Sequence, residues 1–266
     1  MRRRLDAEMV RRGLSPDRDA AGDLIRSGRV LVHGAPAETV GRLVDAGEPV
    51  TVVAPAARFV GRGGDKLDAA LDRFGLDVTG VNALDAGAST GGFTDCLLQR
   101  GARHVVALDV GHNQLHEQSR RDPRVTSLER TNLRHVDASR LGTFDAVVAD
   151  LSFISLDRVM DRLVGACRQG GWIVVLAKPQ FEVDRAVADV GRGVITDPVH
   201  WRDALQRVSA SALDSGATVV GAMVSPLRGA TGNTEFLLHL RPAVASPSSR
   251  SVADLIGEAI DEASAR

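Results

Sequence analysis

The chain has 266 residues, of which 44% are hydrophobic and 25% charged, and its formal net charge at pH 7 is -1. These values are typical of a folded, water-soluble protein with one large domain or a medium domain plus an appendage, and they exclude a disordered or fibrous chain. The two cysteines, Cys96 and Cys167, stand apart in apolar segments, so neither a disulfide framework nor a zinc cluster is expected.

Residues 1–53 are predicted to form a small domain. A first helix ends at Gly13, and a second helix follows the N-cap Ser15. Short strands then cover 30–32 and 50–53. The first 30 residues carry eight arginines: Arg2, Arg3, Arg4, Arg11, Arg12, Arg18, Arg26 and Arg29. A basic appendage on a near-neutral protein favours local contact with a polyanion.

Residues 54–60 are expected to be a linker, and residues 61–242 a larger domain in which helices and strands alternate. The predicted strands are 81–84, 104–110, 144–149, 172–177, 218–224 and 236–240. The predicted helices are 66–74, 94–98, 155–167 and 198–213. Several strands are apolar on both faces, as parallel strands between two helix layers must be. We therefore expect an α/β fold with a Rossmann-like doubly wound sheet, whose last two strands form an antiparallel hairpin.

The remaining residues, 243–266, are expected to be a Ser/Pro-rich tail followed by a helix over 252–263. No apolar run along the chain approaches the roughly 20 residues of a membrane-spanning helix. The composition and the isolated cysteines therefore predict a cytoplasmic protein.

A glycine-rich turn after the first strand of the larger domain is the strongest signal for a bound ligand. Its sequence is Asp85-Ala86-Gly87-Ala88-Ser89-Thr90-Gly91-Gly92-Phe93. Glycine lacks a Cβ and lets a ligand approach the backbone. The phosphate-binding pattern G-x-x-x-x-G-K-[ST] is absent, and the Asp85 carboxylate would repel a pyrophosphate but suits an ammonium group. S-adenosylmethionine carries such a group, so we expect it to bind here.

Polar residues follow the predicted strands, at the edge where open α/β sheets bind their ligands. Asp109 comes about twenty residues after the glycine turn, where an acid can bind both hydroxyls of a ribose. Asn132 is expected near the adenine end of the cofactor. Any one of these residues could be only a cap or a loop anchor, but their grouping indicates a site. The predicted cofactor-binding residues are Asp85, Gly87, Ser89, Thr90, Gly91, Gly92, Phe93, Asp109, Asn132 and Asp150.

The chain resembles the FtsJ-like ribose methyltransferases, which carry a Lys-Asp-Lys-Glu tetrad. The four residues that fall at the tetrad positions are Lys66, Asp150, Lys178 and Glu235. The N-terminal pattern resembles the small αL RNA-binding module, in which arginines on two helices contact folded RNA. The combination resembles the TlyA family of rRNA 2′-O-methyltransferases, often called hemolysins. Strings that carry the resemblance include Gly63-Gly64-Asp65-Lys66-Leu67, Asp150-Leu151-Ser152-Phe153 and Lys178-Pro179-Gln180-Phe181-Glu182.

The resemblance implies an S-adenosylmethionine-dependent enzyme that methylates a cytidine ribose in 16S and 23S rRNA of ribosomal subunits. It implies that the tetrad is catalytic, and that the segment after residue 242 accompanies activity on both subunits. The linker of the family often reads Arg-Ala-Trp-Val, where this chain has Ala57-Arg58-Phe59-Val60. Neither a metal nor a membrane partner is expected, and a monomer is the expected state. The predicted RNA-binding residues are Arg2, Arg4, Arg18 and Arg29.

A lysine base suits this chemistry, because a ribose hydroxyl must lose a proton as its oxygen attacks a sulfonium methyl group. Repulsion between Lys178 and a neighbouring Lys66 would favour a neutral amine, while Asp150 and Glu235 orient the ammonium groups and the hydroxyl.

Three alternatives remain open from the residues. A base N-methyltransferase would carry [Asp/Asn]-Pro-Pro-aromatic after the fourth strand, and Asp150-Leu151-Ser152-Phe153 has neither proline. A dehydrogenase would carry G-x-G-x-x-G, which is absent. A membrane-damaging protein, as the name hemolysin would imply, needs an exposed amphipathic or spanning segment, and none is evident.

Overall fold

The computed structural model describes residues 2–54, 57–136, 141–242 and 250–266. The chain divides into two compact units, Met1–Ala57 and Arg58–Arg266. This division falls inside the segment predicted as a linker, of which residues 55 and 56 lie outside the described part. Phe59 is buried in the core of the larger unit, so the end of the predicted linker belongs to that unit. Of the predicted C-terminal tail, residues 243–249 also lie outside the described part.

The smaller unit packs two helices against short strands. Its elements are β1 (Arg3–Arg4), α1 (Leu5–Arg11), α2 (Arg18–Arg26), β2 (Val30–Val32), β3 (Ala35–Pro36), β4 (Leu43–Val44) and β5 (Val50–Val52). The second helix begins two residues later than predicted, because Asp17, not Ser15, is its N-cap and accepts from Ala20 N. Leu5, Met9 and Ile25 lie in the small apolar core of this unit.

The larger unit alternates helices and strands. Its helices are α3 (Gly63–Phe74), α4 (Gly92–Gln99), α5 (Glu117–Arg121), α6 (Met160–Ala166), α7 (Pro179–Glu182), α8 (Arg185–Val190), α9 (Pro198–Asp214) and α10 (Val252–Ser264). Its strands are β6 (Asn82–Ala86), β7 (His104–Leu108), β8 (Val125–Leu128), β9 (Phe144–Ala149), β10 (Cys167–Ala177), β11 (Ala217–Val224) and β12 (Phe236–Pro242). Short 3-10 turns cover Leu133–His135 and Leu156–Arg158.

These strands form one seven-stranded sheet in the order β8-β7-β6-β9-β10-β12-β11. Among its described strands only β12 runs against its neighbours, pairing antiparallel with both β10 and β11. The predicted doubly wound α/β fold and its terminal antiparallel hairpin are therefore confirmed. The strand order reverses between β6 and β9, and the crevice at the carboxyl ends of these two strands is where such sheets bind ligands.

Apolar side chains cover both faces of the sheet. Along β9, Val147 and Ala149 point into one core cluster, and Ala146 and Val148 point into the other. All four are fully buried, as expected for a parallel strand between two helix layers. This double burial explains why β9 could be predicted from its unbroken apolar run with the observed bounds.

Several elements differ from the sequence prediction, among them one helix and one strand of the larger unit. The helix predicted over 155–167 is a 3-10 turn followed by the shorter α6, and Cys167 already belongs to β10. Strand β8 was missed because it has four residues, two of them exposed, and lies at the edge of the sheet. No helix in the described part of the chain is long and apolar enough to cross a membrane.

Candidate active site

The glycine turn joins β6 to α4 at the crevice and needs its glycines. Gly87 and Gly91 adopt φ angles of 85° and 93°, which side chains rarely tolerate. A Cβ on Gly87 would lie 2.6 Å from the Asp150 carbonyl oxygen, and one on Gly92 would lie 2.9 Å from Gly64 N. The turn is therefore in close contact with the end of β9 and the start of α3.

Asp109 holds the turn from the neighbouring strand. It follows β7 directly, as predicted, and its Oδ2 accepts a hydrogen bond from Ser89 N at 2.9 Å, while Oδ1 accepts from Gly111 N at 2.6 Å. Beside it lies a cavity of about 510 Å³ with apolar and polar walls. Asn132 lines the same cavity, and its side chain accepts from Arg134 N, which fixes the loop. This volume lies within the range of small-molecule sites.

Asp85 takes a different place from the one expected. It lies inside β6, is fully buried, and does not line the cavities beside the turn. Thr94 Oγ1 donates to its Oδ2 at 2.6 Å, while Oδ1 has no hydrogen-bond partner among the described residues. Burial raises the pKa of Asp85 to about 7. The carboxyl thus ties the strand to α4 beneath the turn.

Other predicted cofactor residues lie on the turn itself. Ser89 and Thr90 are exposed, and together with Gly87 and Gly92 they line a smaller cavity of about 160 Å³. Phe93 also borders this cavity, but its side chain is only 2% exposed and belongs to the apolar core. Its contribution to a ligand is therefore limited to the backbone.

The four predicted catalytic residues form two ion pairs. Lys66 Nζ lies 2.5 Å from Glu235 Oε2, and Lys178 Nζ lies 2.7 Å from Asp150 Oδ1. Asp150 Oδ1 has no hydrogen-bond partner among the described residues, and Lys178 Nζ donates to Ser152 Oγ at 2.8 Å. Each lysine thus has one of the two predicted carboxylates as its close partner.

A second cavity of about 510 Å³ adjoins the tetrad. This cavity is lined by Lys66, Lys178 and Glu235. Phe153 and Phe181 also line it, and their ring centroids are 5.3 Å apart. Phe153 is 91% exposed and has a φ of 64°, a strained backbone conformation for an aromatic residue. Strain together with an exposed aromatic ring marks a functional position.

Several residues at the second cavity were missed by sequence reasoning. Ser152, Phe153 and the exposed Arg62 and Arg228 all line it. Arg62 Nη2 donates to the Arg228 carbonyl oxygen, and neither arginine has a carboxylate within ion-pair distance among the described residues. The available signal was position, because Ser152 and Phe153 lie three and four residues beyond Ala149, the last residue of β9.

In the smaller unit, the predicted RNA-binding arginines make internal contacts. Arg4 and Arg18 both donate to Asp6, and Arg2 donates to Asp45. Their side chains remain 52%, 57% and 66% exposed, so donors are left for another partner. Arg29 is half-buried and donates to the Val53 carbonyl oxygen, which assigns it a structural contact.

No group of three or more histidine, cysteine, aspartate or glutamate residues in the described ranges could hold a metal ion. Both cysteines are buried free thiols, as the sequence predicted for small core residues. Burial raises the pKa of each to about 12, so neither is a reactive thiolate.

Known proteins share this architecture. A family model for FtsJ-like methyltransferases matches residues 59–242. The chain is 46% identical to 16S/23S rRNA (cytidine-2′-O)-methyltransferase TlyA of Mycobacterium tuberculosis, over 98% of each protein. It is 37% identical to Hemolysin A of Brachyspira hyodysenteriae, over 89% of this chain and 98% of that protein. A solved structure of a provisionally named hemolysin from Streptococcus thermophilus is 36% identical, with a TM-score of 0.72 over 99% of this chain and 98% of that one.

Proposed function

The chain belongs to the FtsJ-like methyltransferase family and, within it, to the TlyA proteins, and we propose that it methylates a ribose 2′-hydroxyl of ribosomal RNA. The observation that carries this proposal is the assembly of two lysines and two carboxylates next to the glycine turn, as the pairs Lys66–Glu235 and Lys178–Asp150. A hydroxyl acceptor needs a base and groups that orient it, and this set supplies both.

S-adenosylmethionine fits the crevice as the methyl donor. The left-handed Gly87 and Gly91 leave the space that side chains would fill, and Asp109 presents a fixed carboxylate suited to ribose hydroxyls. Leu108, Leu133 and Ile154 give the same cavity an apolar wall for an adenine ring. When bound, the cofactor supplies an electrophilic methyl group on a sulfonium sulfur.

The four paired residues take distinct roles. Lys178 is the base of the reaction, and Asp150 lies 2.7 Å away, where it stabilises the ammonium group that forms when Lys178 takes a proton. Lys66 and Glu235 are buried and line the substrate cavity, where their contact holds α3 against the start of β12. We assign this second pair to orienting the ribose.

The exposed Phe153 ring and the half-buried Phe181 ring beside it suit the nucleobase of the target nucleotide, since bases stack on aromatic side chains when they leave an RNA helix. Arg2, Arg4 and Arg18 of the smaller unit retain exposed donors that suit the phosphates of folded RNA, as in an αL module. Binding through both units would make the shape of the RNA part of the recognition.

The printed name of the Mycobacterium tuberculosis relative supports cytidine in 16S and 23S rRNA as the target. An enzyme of ribosomal RNA works where ribosomal subunits are, so we place it in the cytoplasm, and we propose that it acts as a monomer. The name of the Brachyspira hyodysenteriae relative raises the membrane-damaging alternative. We favour methylation, because the tetrad and the glycine turn would have no role in membrane damage.

Ribose methylation mapped in 16S and 23S rRNA tests the proposal. Three strains are compared: one that lacks this gene, one that carries the wild-type gene, and one that carries Asp150→Ala. In the strain with the wild-type gene, we expect the phosphodiester that follows one cytidine to resist alkaline hydrolysis, because a 2′-O-methyl group removes the hydroxyl that attacks it. In the other two strains this phosphodiester should be cleaved. Cleavage there with a methylated base would identify a base methyltransferase, and identical maps in all three strains would contradict the proposal.

A further inference from the structure

Three cavities meet at one side chain. Ser152 lines the cavity beside Asp109, the small cavity over the glycine turn and the cavity beside Phe153. Among the described residues, Ser152 is the one that borders all three. A methyl group that passes from a donor in the crevice to an acceptor in the substrate cavity must cross this junction. The Ser152 hydroxyl therefore lies where the reacting atoms meet.

Ser152 is also more accessible than Lys178, the proposed base. The Lys178 side chain is 9% exposed and already lies against Asp150, whereas Ser152 is exposed. Lys178 Nζ and Ser152 Oγ are 2.8 Å apart, within hydrogen-bond distance. Both residues line the cavity beside Phe153, and Ser152 is the more exposed of the two, so its hydroxyl is open to a substrate hydroxyl that enters from that side.

We propose that Ser152 Oγ takes the proton of the attacking 2′-hydroxyl and passes its own proton to Lys178 Nζ. This inference rests on the proposed ribose methylation and adds a catalytic residue to it. A hydroxyl suits this relay because it can donate one hydrogen bond and accept another at the same time. Its position on the loop directly after β9 is fixed from the other side, where Glu182 accepts from Ser155 Oγ and Leu156 N.

The proton transfers balance with the methyl transfer. The 2′ oxygen forms its bond to the methyl carbon with one of its lone pairs, while the carbon–sulfur bond of the donor breaks and leaves its electron pair on sulfur. The hydroxyl proton moves to Ser152 Oγ, and the proton of Ser152 moves to a lone pair on Lys178 Nζ, which becomes an ammonium. Ser152 is unchanged, and Lys178 later returns the proton to water.

A binding experiment without cofactor tests the contact with the substrate. The probe is a synthetic RNA of the mapped target segment, made with either a ribose or a 2′-deoxyribose at the target position. We expect the full-length wild-type chain to bind the ribose form about 3- to 10-fold more tightly, the value of one hydrogen bond. Ser152→Ala is expected to lose this preference, and Ser152→Thr to keep it, because threonine retains the hydroxyl.

A kinetic experiment tests the relay itself. Single-turnover methylation in mixtures of H₂O and D₂O is expected to give a curved dependence on deuterium content for the wild type, because two protons move. For Ser152→Ala the dependence is expected to be linear and the rate about 100-fold lower. The matched control is Ser209→Ala, which removes a hydroxyl that donates to the Leu205 carbonyl oxygen on α9, and this variant is expected to behave as wild type.

The outcomes separate the relay from the proposed function. A Ser152→Ala variant that keeps the ribose preference, or that methylates within threefold of wild type, would overturn the relay while leaving ribose methylation intact. A linear wild-type dependence would also overturn it. A wild-type chain that methylates no ribose at all would refute the proposed function, on which the relay depends.

Discussion

Lys66 Nζ lies 2.5 Å from Glu235 Oε2, and the two side chains are 9% and 4% exposed although 169 positions separate them in the chain. This contact joins the first helix of the larger unit to the start of its last strand. Taking two charges out of water costs free energy that their attraction repays only with good geometry. We interpret the pair as a contact that places two functional groups, rather than as one that stabilises the fold.

The stability of single and double variants tests this interpretation. Glu235→Ala is expected to lower the free energy of unfolding by about 3 kcal/mol, because the Lys66 ammonium is left buried without its partner. The double variant Lys66→Met with Glu235→Leu is expected to recover most of this loss in urea denaturation, yet to remain severely impaired in methyl transfer. A double variant less stable than Glu235→Ala would show that the pair does stabilise the fold.

Removing the base should separate chemistry from binding. Lys178→Ala is expected to abolish methyl transfer, while the affinities for S-adenosylmethionine and for RNA stay close to wild type, because the proton acceptor is lost and the binding surfaces remain. Calorimetry and a filter-binding assay measure the two affinities. Because Lys178 and Asp150 act together, the activity losses of Lys178→Ala and Asp150→Ala should not add in the double variant. Full activity of Lys178→Ala would disprove the mechanism.

Asp109 is expected to set cofactor affinity. Its carboxylate holds Ser89 N and Gly111 N and faces the cavity. Asp109→Ala should weaken S-adenosylmethionine binding about 10-fold or more, since hydrogen bonds to a charged group are among the stronger ones. Calorimetric titration gives the affinity, and Asp203→Ala, which removes an exposed carboxylate from α9, is the control. Equal affinities of the two variants would refute the assignment, whereas RNA binding is expected to change little in either.

The arginine contacts of the smaller unit require a careful choice of substitution. Burial alone would raise the pKa of Asp6, but hydrogen bonds from Arg4 and Arg18 outweigh it and hold the value at about 2. A glutamate at either position would place a second carboxylate beside Asp6 and destabilise the unit, so glutamine is the better replacement.

Arg4→Gln and Arg18→Gln are expected to weaken binding to ribosomal subunits, and each to lower the slope of log affinity against log salt by about 1 per lost phosphate contact. Arg26→Gln, which loses only a surface contact with Asp23, is the matched control. Thermal midpoints confirm that the variants are folded. Unchanged affinity and slope in both variants would exclude these two arginines from the RNA interface.

Asp85 predicts a pH dependence of stability. Burial raises its pKa to about 7 in the folded chain, whereas an unfolded aspartate titrates near 4. Between these values the folded chain binds more protons than the unfolded one, so the contribution of Asp85 to stability is complete below about pH 4 and is lost as the pH rises through 7. The asparagine of Asp85→Asn cannot titrate, so this variant should not lose stability in that way. Above neutral pH the loss that it avoids amounts to up to about 4 kcal/mol in the free energy of unfolding.

Urea denaturation of wild type and Asp85→Asn at about pH 5 and about pH 8 measures the effect, and Asp203→Asn is the exposed control. The stability difference between Asp85→Asn and wild type should grow with pH. If it stays constant, the Asp85 carboxyl is ionised in both the folded and the unfolded chain over this pH range.

Local sequence determined much of the fold. Three features were predicted from neighbouring residues alone. They are the apolar run of β9, the start of α9 at Asp197-Pro198, and the end of α3 at Gly75. The glycine turn was likewise identified from sequence, because its conformation depends on the absence of side chains at positions next to one another. Propensity and periodicity act over a few residues, and these features need no more than that.

Only the tertiary structure decided which side chains meet. The sequence suggested that Asp150 and Glu235 orient the two lysines, but the fold decided which carboxylate lies beside which lysine. It also buried Asp85 beneath the turn and brought Ser152 to the junction of three cavities. Such relationships depend on the order in which strands assemble and on the direction of each side chain. They arise from packing between distant segments, which no local pattern encodes.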